Sequence, residues 1–128
     1  MLVTRTVRID PMAGGAAGAR EVADALLAGA VAACPTETFY ALGAAAFSRR
    51  AVDRVRRLKG RDASKPLSVL ASDLDMVAAI AAATGPSFIA LAGEFWPGPL
   101  TVVLPAAAGV PEFLLGPGRT IAVRIPPV

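Results

Sequence analysis

The chain has 128 residues, one domain's worth, of which 55% are apolar and 18% charged, a composition that excludes intrinsic disorder and leaves room for one buried core. Its formal net charge of +3 and isoelectric point near 9.8 favour anionic ligands but are modest for a dedicated nucleic-acid binder. One cysteine, Cys34, and no histidine exclude a disulfide framework and a zinc site of the usual ligand set, so no resident metal is expected.

Residues 1–9 alternate in part and predict an edge strand. The Gly/Ala-rich stretch Pro11 to Gly18 reads as a loop. Val22, Ala25 and Leu26 fall on one face of a helix predicted over Arg20 to Ala28, with Gly29 as its stop. Ala30 to Cys34 is a short apolar run that suits a buried strand, and Pro35 to Gly43 reads as a polar loop after it. Ser48 is placed to cap a helix over Arg49 to Leu58, with Val52, Val55 and Leu58 inward and Arg50, Arg54 and Arg57 toward solvent. Lys59 to Lys65 forms a basic loop, and Pro66 to Ala71 a strand.

Ser72 or Asp73 caps the next helix, with Leu74, Val77 and Ile80 buried. Gly85 and Pro86 open another, with Phe88, Leu91 and Phe95 on one side. The uncharged run Met76 to Gly93 is long enough to cross a membrane, but Thr84, Gly85, Pro86 and Ser87 interrupt it, so two helices and a turn are expected and no membrane span. Arg5 and Arg8 are not followed by the apolar run of a secretory signal. With a single cysteine, that points to the cytoplasm. Trp96 to Pro99 is a stiff corner, Leu100 to Leu104 a strand, and Pro105 to Gly118 a loop with one helical turn around Phe113. Thr120 to Ile125 is the last strand. Interleaved strands and helices predict an α/β domain around one twisted sheet.

Four segments carry polar residues that a scaffold does not need. Pro35-Thr36-Glu37-Thr38 follows a predicted strand, where open α/β sheets bind ligands; its threonines either hydrogen-bond a small polar substrate or order a turn. Lys59-Gly60-Arg61 with Lys65 gathers cations on a glycine-containing loop, suited to a triphosphate or simply solvated. The only two lysines of the chain lie there. No G-x-x-x-x-G-K-[ST] or G-x-G-x-x-G phosphate fingerprint is present. Phe95 to Thr101 reads as a rigid aromatic corner. In Thr120 to Pro126, alternation puts Thr120, Ala122 and Arg124 on one face. An arginine in so apolar a strand needs a negative partner, either a ligand or a structural Asp or Glu.

Together these blocks resemble the YrdC-like threonylcarbamoyl-AMP synthase family. PTETFYALGA resembles its P-T-E-T-x-Y-G-L-G-A signature, LKGRDASKPLSVL its K-x-R-x-x-x-[NK]-P-L segment, FWPGPLTVVL its W-P-G-P-L-T block and TIAVRIP its T-x-A-V-R-x-P strand, in one order from Pro35 to Pro126. The resemblance implies a twisted mixed sheet with surrounding helices and a concave basic cleft. It implies the condensation of L-threonine, bicarbonate and ATP, with Mg2+, into threonylcarbamoyl-AMP for modification of tRNA. It also implies partner proteins of tRNA threonylcarbamoylation and contact with double-stranded RNA or tRNA.

Carried over by position, Thr38 and Arg124 contact threonine. Lys59, Arg61, Lys65 and Thr120 bind ATP, with Lys59 and Arg61 stabilising the charge of the reacting phosphates, and Thr36 orders the loop. Ala41 replaces a usual glycine, Ala45 a common Asp or Asn, and Leu70 a histidine of some members. The family continues past its V-R-x-P strand to a Ser-x-Asn motif, which this sequence does not contain, so residues 1–128 are expected to be one domain of a C-terminally short member or a fragment. The readings from other classes are a nucleotide- or RNA-binding module without chemistry and a carbamoyl-transfer accessory domain.

Overall fold

The computed structural model describes residues 3–10, 12, 14–60 and 67–127. Helix α1 (Ala16–Leu27) is followed by strands β1 (Ala32–Pro35) and β2 (Tyr40–Gly43), then helix α2 (Arg49–Lys59). Strand β3 (Val69–Leu70), helices α3 (Leu74–Ile80) and α4 (Pro86–Phe95), strand β4 (Val102–Pro105), a 3-10 turn (Glu112–Leu114) and strand β5 (Thr120–Arg124) complete the order. The α/β class holds, but the described strands pair as two sheets where one was expected. β1 and β2 form an antiparallel hairpin, and β5 lies between β3, parallel to it, and β4, antiparallel to it.

The core gathers on β5. Ile121 and Val123 are 1% and 0% exposed and meet Val77 of α3, Phe88 of α4, Leu104 of β4 and Val52 of α2. Strand alternation explains why this face is wholly apolar and why Thr120, Ala122 and Arg124 share the other.

Local rules set the helix ends. Ser48 accepts from the Ala51 amide at 3.3 Å and Asp73 from Met76 at 2.8 Å, as N-caps do. Pro86 opens α4 behind Gly85. After α1 the Gly29 amide bonds the Leu26 carbonyl and the Ala30 amide bonds Ala25, closing a Schellman motif with Gly29 at φ +100°.

Several sequence expectations fail for identifiable reasons. Residues 3–10 form no strand. Arg5 instead pairs with Glu21, and Ile9 sits so close to α1 that a side chain at Gly15 or Gly18 would meet it. The alanines of the expected loop start α1 at Ala16, since alanine is the best helix former. Tyr40–Gly43 is a strand and not loop, because a four-residue turn suffices to return the chain along β1. Leu58 is exposed: at about 100° per residue it lies about 120° round α2 from Val52, while Arg56 takes the inward place. On α4 the buried residues are Phe88 and Ala92. Leu91 lies to the flank, and Phe95, the last helical residue, is half exposed, as is Leu74 at the start of α3. No described helix is long and apolar enough to cross a membrane.

The corner after α4 is built on close contacts. Trp96 stacks edge-on against Phe88 with ring centroids 5.5 Å apart, and its Nε1 donates to the Leu100 carbonyl at 2.7 Å. The Gly98 amide donates to the Ile125 carbonyl at 2.9 Å, and a Cβ at Gly98 would overlap the Phe95 carbonyl oxygen. Gly98→Ala is therefore expected to destabilise the domain by about 1–3 kcal/mol, the usual cost of forcing an atom into a filled place. Urea denaturation checks this; an unchanged midpoint would show that the corner relaxes freely.

Candidate functional site

A cavity of about 840 Å³ opens between the β1–β2 hairpin, α2 and the carboxyl end of β5. That is a common size for a small-molecule site. The hairpin contributes Thr36 and Glu37, α2 contributes Val52, Val55 and Lys59, and β5 contributes Arg124. Helical phase accounts for the α2 set: Val52, Val55 and Lys59 recur at spacings of three and four and so share a face. Lys59 also sits in the last turn, where the helix dipole favours a cation, and Gly60 ends the helix at φ +65°.

Strand β5 delivers Arg124 by the same periodicity that buries Ile121 and Val123. Its Nη1 donates to Oε1 of Glu37, across a sequence separation of 87. The two side chains are 13% and 20% exposed, so the pair is largely withdrawn from water. The negative partner that an arginine in an apolar strand requires is therefore an internal carboxylate. The sequence by itself marks Glu37 with no role of its own. The usable signal was that it is the one carboxylate in the polar segment after β1.

Thr36 holds the hairpin turn that presents Glu37. Its Oγ1 accepts from the amides of Thr38 and Phe39 at 3.3 and 3.2 Å and bonds the Phe39 carbonyl at 2.6 Å. The Thr36 amide donates to that same carbonyl at 3.1 Å. These bonds follow the turn-forming alternative for the two threonines. Thr38 sits at the exposed tip with its hydroxyl 3.1 Å from that of Thr36, outside the cavity lining.

Thr120 is likewise not in the lining. It stands at the opposite end of β5, about 13 Å from Arg124 at ~3.3 Å per residue, with its hydroxyl donating to the Pro117 carbonyl at 3.0 Å. Arg61 and Lys65 lie outside the described residues. The structure thus brings Lys59 and Arg124 to one cavity and leaves Thr38 and Thr120 apart from it.

Arg56 is a residue the sequence did not single out. It is 7% exposed, and its Nη2 donates to the Phe113 carbonyl at 2.8 Å, tying α2 to the 3-10 turn whose Leu114 lines the cavity. A run of arginines on α2 reads as a solvated face, which hid it. Among the described residues no group of three His, Cys, Asp or Glu converges to hold a metal.

Comparison with known proteins bears on the family and the fold. The Sua5/YciO/YrdC family, described as telomere recombination, matches residues 24–128. A threonylcarbamoyl-AMP synthase of Pyrococcus abyssi is 42% identical over 98 residues, covering 77% of this chain and 29% of that protein. One of Thiobacillus denitrificans is 39% identical over 97 residues, covering 76% of this chain and 52% of that protein. The chain therefore spans about half or less of the length of these relatives.

The crystal structure of P. abyssi Sua5 complexed with L-threonine superposes with a TM-score of 0.82 at 37% identity, over 94% of this chain and 34% of that one. E. coli YciO, at 24% identity and a TM-score of 0.75 over 84% of this chain and 52% of that one, shares the fold. From the match over residues 24–128 and the agreement of the folds, the chain belongs to the Sua5/YciO/YrdC family.

Proposed function

We propose that this domain binds L-threonine, bicarbonate and ATP and forms threonylcarbamoyl-AMP, releasing pyrophosphate, in the cytoplasm and in the service of tRNA threonylcarbamoylation. The observation that carries the reading is the placement of Lys59 and Arg124, from distant parts of the chain, in one cavity of substrate size beside Glu37. Names of relatives support it: two synthases of the stated activity and a homologous fold with L-threonine bound.

In this reading Arg124 takes the threonine carboxylate with its planar donor fork, and Lys59 attracts the nucleotide phosphates as a point charge. The threonine amine adds to the carbon of bicarbonate, giving a carbamate as water is lost, or to that of CO2 with release of a proton. A carbamate oxygen then attacks the α-phosphorus as the bond to the pyrophosphate oxygen breaks. Positioning and charge neutralisation suffice, and no protein nucleophile enters. Mg2+ arrives as part of the substrate, on the phosphate oxygens of ATP that suit it. Arg61 and Lys65 are proposed to join Lys59 on the phosphates. The protein partners and tRNA of the pathway belong to the same proposal.

The test is pyrophosphate release from ATP in the presence of bicarbonate, with and without L-threonine. Release that depends on threonine is the expected result. Its absence, together with salt-sensitive RNA binding, would assign the domain to RNA binding without chemistry. In the same assay Lys59→Ala is expected to raise the ATP concentration for half-maximal rate by about 10- to 100-fold, the usual weight of a hydrogen bond to a charged group. An unchanged ATP dependence would place Lys59 outside the phosphate site.

A further inference from the structure

We propose that Glu37 makes the cavity selective for a zwitterion, a ligand bearing an ammonium and a carboxylate on neighbouring carbons, over a simple carboxylic acid; this rests on the reading that an amino acid enters at Arg124. The Glu37–Arg124 pair spans the cavity wall between the hairpin and β5, with both side chains largely withdrawn from water. Any anion that takes the Arg124 guanidinium must loosen or share its bond to Glu37. A carboxylic acid without an ammonium leaves the Glu37 carboxylate facing a second negative charge that water screens only in part, an unfavourable arrangement.

An α-amino acid avoids this. Its carboxylate goes to Arg124 and its ammonium to Glu37, so each member of the internal pair exchanges one partner for another of the same sign. The turn that carries Glu37 is held by Thr36, through its hydroxyl and its amide, so the backbone from which the carboxylate projects is ordered before the ligand arrives. Selectivity here comes from what the wrong ligand leaves unpaired, more than from an added attraction to the right one. Lys59, across the same cavity, supplies positive charge for a separate anion and cannot act as a counterpart to an ammonium.

The experiment is isothermal titration calorimetry at pH 7 and low salt, using L-threonine and the matching 2,3-dihydroxybutanoate, in which a hydroxyl replaces the ammonium. Wild-type protein is expected to prefer L-threonine by ~10-fold or more, since the pair is partly screened. Glu37→Gln keeps the size and one hydrogen-bonding oxygen, and is expected to collapse that preference mainly by tightening binding of the hydroxy acid. Equal affinities in wild type, a readout that needs no variant, would overturn the proposal, as would a preference that persists in Glu37→Gln. If neither compound binds wild type, the amino-acid reading of the site falls as well. Binding without discrimination sinks the selectivity alone.

Discussion

Arg124→Ala is expected to weaken L-threonine binding by roughly 30- to 150-fold, the lower part of the range for truncating one member of a hydrogen-bonded, desolvated charge pair. The ligand carboxylate loses its guanidinium and is left beside the Glu37 carboxylate with no positive side chain of β5 between them. Arg124→Lys should recover only part of the loss, because an ammonium cannot reproduce the planar fork. Calorimetric titration with L-threonine checks both. An affinity within threefold of wild type in Arg124→Ala would mean that the arginine serves the hairpin alone and that threonine binds elsewhere.

Ile121→Ala is expected to cost about 2–5 kcal/mol of folding stability, a large part of the ~5–15 kcal/mol that such a domain has. Ile121 is 1% exposed on the central strand of the three-stranded sheet, and several elements converge there, so the cavity left behind has little freedom to collapse. Val103 on the neighbouring β4 is 62% exposed, so Val103→Ala should stay within about 0.5 kcal/mol. Urea unfolding of the two variants side by side tests the contrast. Similar midpoints would mean that β5 is not the centre of the core.

What the sequence disclosed depended on how local the cause was. Ser48, Asp73, Gly85 with Pro86, and Gly29 act through bonds to residues a few positions away, and each fell where capping rules put it. The alternation of β5 separated Ile121 and Val123 from Arg124 without knowledge of the partners. Failures came where a partner decides the outcome. Residues 3–10 alternate like a strand but lie against α1, and Leu58 faces solvent while Arg56 turns inward to the Phe113 carbonyl.

The site followed the same division. That Arg124 needs a negative partner was legible from its apolar setting. Which carboxylate provides it was not, because Glu37 reaches it only through the folding of a hairpin far away in sequence. The spacing of Lys59 from Val52 and Val55 already implied a common face, yet a basic stretch reads as solvated until a cavity is seen beside it.

The separation of the strands into two sheets bears on how the cleft accommodates its contents. Within a sheet the distance between neighbours is set by backbone hydrogen bonding at about 4.8 Å and cannot stretch without breaking the ladder. Among the described residues no such ladder joins the β1–β2 hairpin to β5, and the clasp between them at this wall is a pair of long side chains. The spacing of hairpin and β5 at this wall is therefore set by side-chain length and charge, and not by a backbone ladder.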